Sequence, residues 1–414
     1  MNIYIITNFR ILPYLSIFYE VLKNKKITKV VLLSRESLKA FDYGEYMPIW
    51  NKKLKIFFLS IFTKVLIIDT KCNLEEEIDT TGIISSLVSI TSDSNADKFK
   101  YPELYTNFYN LAKGAYSVQL FLDGLKIPYE LFLFNGRGAS QFSIALYASR
   151  NHIKTSFFEY GNSSYMGYKL FPYTPHSSMK IGQDLNILFK KKNKSNFLTP
   201  KQKKLALELI DEKLNNIFTQ NLSITDLNYD VLVFLGSDHE YTGVSEEISN
   251  FRILGNLKLC EYAYNKYGSK YTIAVRAHPN QKVDPSANFT NQKIKDYCET
   301  RGIVFFNYDS TISSHSLIKN CKIVVTEYSS ISYDAIYLEK EVDIMGELDL
   351  KVILSELPIE IKTLGPIEVK LYVAYIKHLE SNLHFVSFNL VFKYICFFLT
   401  IIERKFFFKS DFIK

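Results

Sequence analysis

Apolar and polar positions alternate along the chain in two registers. Short β-branched runs read as strands, and between them apolar residues recur every three or four positions, as in helices. Residues 2–7 predict a first strand, 12–24 a helix and 27–35 a second strand, which is the order of a βαβ unit and a parallel sheet. Residues 54–70 are apolar but broken by Ser60 and Lys64; they are too short for a membrane span and predict a buried helix feeding a strand. Residues 101–122 predict a helix closed by Asp123-Gly124, and 131–165 predict strand, glycine-rich turn, helix, strand and polar loop. The acidic residues 75–77 and the polar run 91–98 read as solvated surface.

Residues 169–194 carry Pro172, Pro175 and a lysine run without a clear period, and read as a linker. Strand–helix alternation then resumes, with a helix over 201–218, a strand and polar loop over 230–243 and a helix over 253–266. Two further strand–loop units follow at 271–281 and 323–340. The expectation is an α/β protein with two Rossmann-like domains, residues 1–180 and 200–370, a cleft between them and a C-terminal helical tail over 371–414. In the tail, Phe385, Phe388, Phe392, Ile395, Leu399 and Ile402 keep helical spacing among basic residues. It reads either as a membrane-surface helix or as a helix packed across both domains.

Composition narrows the partners. A chain of 414 residues with 47% hydrophobic and 22% charged residues is globular and long enough for two domains. Its net charge of +7 suits an acidic small substrate or an anionic membrane surface, and the dense basic stripes of nucleic-acid binders are missing. The five cysteines form no CxxC pair and read as reduced thiols in a cytosolic core. The first residues lack the plan of a signal peptide, so the expected location is the cytoplasm, and, on the membrane-surface reading of the tail, the inner face of the cytoplasmic membrane. His152, His176, His239, His315, His378 and His384 show no metal-ligand spacing and no DxD occurs. The expectation is therefore chemistry without a bound metal or cofactor.

In open α/β sheets, ligands bind outside the carboxyl ends of the strands, so the loops there carry the candidate chemistry. Asn135, Gly136 and Arg137 follow one predicted strand, and Glu159, Tyr160 and Gly161 follow the next. Glu159 is the candidate general base, with a structural salt bridge as the alternative; Asn135 and Arg137 bind the acceptor or brace Glu159. In the second half, Gly236, Ser237, Arg276, Asn280, Glu327, Ser329 and Ser330 are candidates for binding a phosphorylated donor. His278 would hydrogen-bond the donor phosphate and stabilise the leaving group. Asp238 and Glu240 are fallback bases or ligands for sugar hydroxyls. Arg276 either meets phosphate or pairs internally, and the two serines also suit an ordinary helix N-cap.

The order FNGRG, FEYGN, GSDHE, VRAHPN and TEYSSISYDA across residues 135–340 resembles that of bacterial capsule and lipopolysaccharide glycosyltransferases. More distantly it is similar to bacterial sialyltransferases and Kdo transferases of the GT-B architecture, which use an acidic motif ending in Gly, an HP motif and a Ser-rich motif. Sialyltransferases favour two adjacent acids before the Gly; here Tyr160 takes the second position, which leaves the base on Glu159 alone. The resemblance implies an inverting, metal-independent transferase moving a sugar from a CMP- or UDP-linked donor to a glycan or glycolipid acceptor of the cell surface. A polyol-phosphate transferase of teichoic-acid type, a sugar-nucleotide epimerase and a non-catalytic glycan-assembly protein remain the alternatives.

Overall fold

The computed structural model describes residues 1–7, 11–23, 27–39, 49–69, 78–160, 166–193, 195, 197–218, 228–237, 247, 254–346, 348–390 and 392–394. In chain order the strands of the first half are β1 (Asn2–Ile5), β2 (Lys29–Ser34), β3 (Lys64–Ile68), β4 (Glu130–Phe134), β5 (Thr155–Tyr160) and β6 (Gly167–Phe171). The second half supplies β7 (Val231–Phe234), β8 (Ile273–Arg276), β9 (Val304–Phe306), β10 (Ile323–Thr326) and β11 (Glu341–Ile344), and the chain closes with β12 (Phe385–Ser387).

Two sheets result. The first has the order β12-β6-β5-β4-β1-β2-β3 and the second β11-β10-β7-β8-β9. Strands β1 to β5 pair in parallel, as do all pairs of the second sheet. Within each half the first five strands thus stand in the spatial order 3-2-1-4-5, that of a doubly wound nucleotide-binding sheet. The fold is α/β with two Rossmann-like halves, the GT-B-like arrangement.

Burial explains why these strands read as near-continuous apolar runs. In β1, Ile3 and Ile5 face one core while Tyr4 and Ile6, just beyond, face another. Strand β4 repeats this with Leu131 and Leu133 against Phe132 and Phe134. Val231 and Val233 of β7 likewise oppose Leu232 and Phe234. Parallel strands covered by helices on both faces need apolar residues at every position.

Residues 169–194 are not a linker. They contain most of β6 and the helix Ser178–Lys192, whose Leu185 and Phe189 are fully buried, with Ile181 and Leu188 packed beside them. The i, i+4, i+7, i+8 spacing was present but masked by two prolines before it and three lysines at its end. This helix packs on Asp349–Ser355 so tightly that a Cβ on Gly182 would lie 2.6 Å from the Asp349 carbonyl oxygen.

The C-terminal stretch returns to the first half. The helix Pro366–Leu379 lies in the largest core, β12 pairs antiparallel with β6, and Phe388 and Phe392 are buried against Tyr19 and Tyr168. Residues 384–388 are thus strand and core rather than the first turns of a helix, while residues 395–414 lie outside the described residues. Cys260, Cys298 and Cys321 are buried free thiols. Among the described residues, no helix is long and apolar enough to cross a membrane.

The polar run 91–98 is also not all solvated. Asp93 is fully buried and accepts from Ser286 Oγ at 2.6 Å, Tyr101 Oη at 3.0 Å and the Asn95 amide at 3.1 Å, with the Lys100 ammonium against its other face. The Ser94 amide donates to Asp284. This cluster latches the first half onto the loop that follows His278.

Candidate functional site

In each sheet the chain leaves the two central strands in opposite directions, and ligands of open α/β sheets lodge outside the carboxyl ends at that switch point. In the second sheet the central pair is β7 and β10. A cavity of about 150 Å³ lies at their carboxyl ends. Gly236 and Ser237 reach it from β7, His278 from β8, and Tyr328, Ser329 and Ser330 from β10.

Local bonding sets each of these groups. The Gly236 amide donates to Asn256 Oδ1 at 2.8 Å, and its carbonyl accepts from Asn256 and from Gln281 Nε2, both at 3.2 Å. A Cβ at Gly236 would stand 2.6 Å from the Tyr328 ring, so the loop lies against that ring only because residue 236 is glycine. His278 caps the short helix Pro279–Val283: its Nδ1 accepts from the Asn280 amide at 3.1 Å, so a neutral imidazole carries its proton on Nε2. Ser329 Oγ accepts from the Ile331 amide at the start of Ile331–Tyr337.

Five lining residues were missed from sequence: Tyr328, Tyr333, Leu348, Asp349 and Lys377. Lys377 comes from Pro366–Leu379, Asp349 opens its own helix, and Tyr333 lies beneath them. The Lys377 ammonium sits 4.6 Å over the Tyr333 ring, 3.5 Å from Asp349 Oδ2 and against Glu380. Burial works to lower its pKa, but the charges of Asp349 and Glu380 outweigh it and the pKa ends above its ordinary value. Tyr333 Oη donates to Asp349 at 2.8 Å. Nothing local in the sequence marked Lys377, because it lies far along the chain from the serines it joins.

Other predicted donor residues lie elsewhere. Arg276 is buried and turns away, donating to the carbonyls of Asn307 and Ser310; burial pushes its pKa down. Glu327 is buried beneath the start of Asn256–Tyr267, where it accepts from the Leu254 and Gly255 amides, and burial raises its pKa. Asn280 contributes its backbone amide to His278. Asp238 and Glu240 lie outside the described residues.

The first sheet carries the second cluster. Strand β4 is followed by Asn135, at φ 56°, and Gly136, at φ 86°. Asn and Gly are the residues that enter this left-handed region most readily. The turn aims Asn135 Nδ2 at Glu159 Oε2, 2.6 Å away at the end of β5. Glu159 Oε1 accepts from the Tyr160 amide at 2.8 Å. Because the Asn135 amide faces a carboxylate with its NH₂, its Oδ1 is the acceptor for His176 Nε2 at 3.1 Å. Burial raises the Glu159 pKa despite these bonds and the charges of Arg137 and Lys169. Burial, with Arg137 nearby, lowers that of His176 to about 3. His176 is thus a neutral donor, and it went unseen because it lies in the segment read as linker.

A ladder of charges joins the clusters. Lys169 faces Glu159 in the β5–β6 register, and its ammonium donates to the Glu380 carbonyl at 3.0 Å. Glu380 pairs with Lys377, and Lys377 with Asp349 in the cavity wall. Among the described residues, no group of three or more His, Cys, Asp or Glu could hold a metal ion.

Fold and site together define a paired Rossmann-like α/β protein with a polar cavity at the switch point of the second sheet and a half-buried carboxylate at the end of β5, beside the central strands of the first. Among solved structures, the chain is similar to KpsC of Thermosulfurimonas dismutans, a β-Kdo 2,7 transferase, at 12% identity over 73% of this chain and 78% of that one, with a TM-score of 0.35. It is also similar to the β-Kdo 2,4 transferase of KpsC from the same organism, at 12% identity over 54% and 70% with a TM-score of 0.32. A third is the UDP-GlcNAc 2-epimerase of Neisseria meningitidis bound to UDP-GlcNAc, at 13% identity over 92% and 99% with a TM-score of 0.23. No protein-family model matches the chain, and no curated protein does.

Proposed function

We propose that this chain is an inverting, metal-independent glycosyltransferase that takes a CMP- or UDP-linked sugar donor and passes the sugar to a surface-glycan acceptor. The observation that carries the reading is the convergence of Ser237, His278, Ser329, Ser330 and Lys377 on one cavity at the switch point of the second sheet. Hydroxyls, an imidazole N–H and an ammonium are a receptor for phosphate oxygens. At about 150 Å³ the cavity suits the phosphates, with the remainder of a nucleotide-sugar outside it.

In the proposed reaction an acceptor hydroxyl attacks the anomeric carbon of the donor. Its proton passes to the Glu159 carboxylate, whose raised pKa makes it a stronger base than an exposed glutamate. The new glycosidic C–O bond forms as the bond from carbon to phosphate oxygen breaks. The negative charge left on the phosphate is met by His278, the serine hydroxyls and Lys377. His176 and Asn135 keep Glu159 turned toward the acceptor.

A thermal-shift panel of CMP, CDP, UDP, GDP and their sugars tests this. A ligand at ten times its dissociation constant stabilises the wild type by about 1.4 kcal/mol. One nucleotide is expected to do so, not to stabilise His278→Ala, and still to bind Glu159→Gln while that variant transfers no sugar. A donor converted to its epimer without any acceptor would favour the epimerase; no response from folded protein to any nucleotide would overturn the enzyme reading.

A further inference from the structure

The helix Ile49–Ser60 and the turn after it expose the wrong face. Lys52, Lys55 and Leu59 are buried, whereas Leu54, Phe57, Phe58, Ile61 and Phe62 are exposed, Phe57 to 59% and Ile61 to 58%. These positions recur at helical spacing, so they form one stripe rather than scattered residues. Scattered apolar side chains on a surface need no explanation, but a continuous aromatic stripe marks something it binds. The sequence predicted a buried helix here; the helix and its strand are present, but this face is bare.

Two further observations identify the occupant. Residues 49–68 contain four lysines and no acid, and of the lysines Lys53 and Lys64 are exposed at the margins of the stripe. The stripe also continues toward the end of the described chain: Phe62 packs edge-on against Phe18 at 5.6 Å, and Phe18 lies 6.1 Å from Phe392, beside the exposed Leu390 and Tyr394. Beyond them the sequence is apolar and basic, with Arg404, Lys405, Lys409 and Lys414.

We propose that this face docks on an anionic lipid bilayer, with Phe57, Phe58 and Ile61 entering the interface and Lys53 and Lys64 level with the headgroup phosphates. A second copy of the chain is a poorer occupant, because a two-fold contact would bring the lysine margins of both copies together. The surface belongs to the first half and does not depend on the reaction assigned to the cavity.

The test is flotation of the full chain with vesicles of phosphatidylcholine alone or with about 30% phosphatidylglycerol, at low and high salt. The wild type is expected to float with the anionic vesicles, less so at high salt. Phe57→Ser/Phe58→Ser/Ile61→Ser is expected to partition at least about tenfold more weakly with an unchanged melting temperature, since the replaced side chains are exposed. Lys53→Glu/Lys64→Glu is expected to lose the preference for anionic lipid. Failure of the wild type to float, or equal flotation of the serine variant, would overturn the proposal. So would a wild-type dimer that the serine substitutions dissociate, or a lower melting temperature in that variant, which would reveal a cover from the chain itself.

Discussion

Replacing Asp93 by Asn should cost the protein much of its stability at neutral pH and little of it in acid. The carboxylate is fully buried and receives four donors: Ser286 and the Asn95 amide on Oδ1, Tyr101 and Lys100 on Oδ2. An amide of the same shape offers one acceptor oxygen. Whichever way it is turned, its NH₂ faces either the Asn95 amide or the Lys100 ammonium, neither of which can accept. Hydrogen bonds to a charged group contribute about 1.5–3 kcal/mol each, and one such bond is lost outright. The half-exposed Lys100 recovers part of its loss in water, so the expected cost is about 2–4 kcal/mol rather than the full cost of stranding a buried ion.

The pH dependence follows from the sign of the shift. Burial works to raise the Asp93 pKa, but the bonds from Lys100, Ser286, Tyr101 and Asn95 outweigh it and hold it below the ordinary 3.8. A depressed carboxyl pKa contributes stability that is present above 3.8 and is lost as pH falls through the folded-state value. Urea unfolding of both proteins should therefore show the full gap at about pH 7 and a closing gap below about pH 4. A gap under about 0.5 kcal/mol at neutral pH, or one that stays constant into acid, would refute the reasoning.

Three other outcomes are expected. Lys377→Met should weaken nucleotide diphosphate binding about tenfold in titration calorimetry while leaving the bare nucleoside unaffected, because the ammonium contributes through phosphate. Gly236→Ala should abolish nucleotide binding and destabilise by about 1–3 kcal/mol in thermal melts, since its Cβ must displace the Tyr328 ring; full nucleotide affinity would show the loop to be free of that ring. The acid limb of the transfer rate should lie above the ordinary glutamate value of 4.5, because burial raises the Glu159 pKa and the rate falls as pH drops through it. Asn135→Ala, by removing a bond that favours the carboxylate, should move that limb to higher pH, and an unmoved limb would take Glu159 out of the rate.

The central strands were legible because burial on both faces leaves a short apolar run between turn residues: β7 is apolar at every position, and β1, β4 and β10 at all but one, Asn2, Glu130 and Thr326. The loops after them were legible for the same reason, since the apolar run stops where the sheet ends. The direction of a side chain in such a loop was not. Arg276 is the last residue of β8 and points back under the sheet's edge to Asn307, while His278, two residues on, reaches the cavity. Glu327 and Ser329 divide in the same way after β10. Contacts between distant segments left no local mark at all: Asp93 looks like any acid in a polar run, and only Ser286, far along the chain, makes it a buried latch. The exposed stripe from Leu54 to Phe62 was misread because helical period reports which residues share a face, not which face meets solvent.

The two sheets follow the same strand order, and what separates them is the addition of β6 and β12 to the edge of the first. A plain five-stranded sheet would leave Glu159 on an edge strand, open to water. Strand β6 covers that edge, sets Lys169 opposite Glu159, and leads through the turn with His176 into the helix that packs on Asp349. Strand β12 then fixes the other side of β6 and brings Glu380, just before it, to Lys169. The chain needs its own C-terminal return to build the environment of the carboxylate, so the last strand is part of the site as much as the loops at the switch points. The same return buries Phe388 and Phe392 beside Phe18, whose neighbour Phe62 begins the exposed stripe. One segment therefore packs beside both the strand that faces Glu159 and the edge of the exposed stripe.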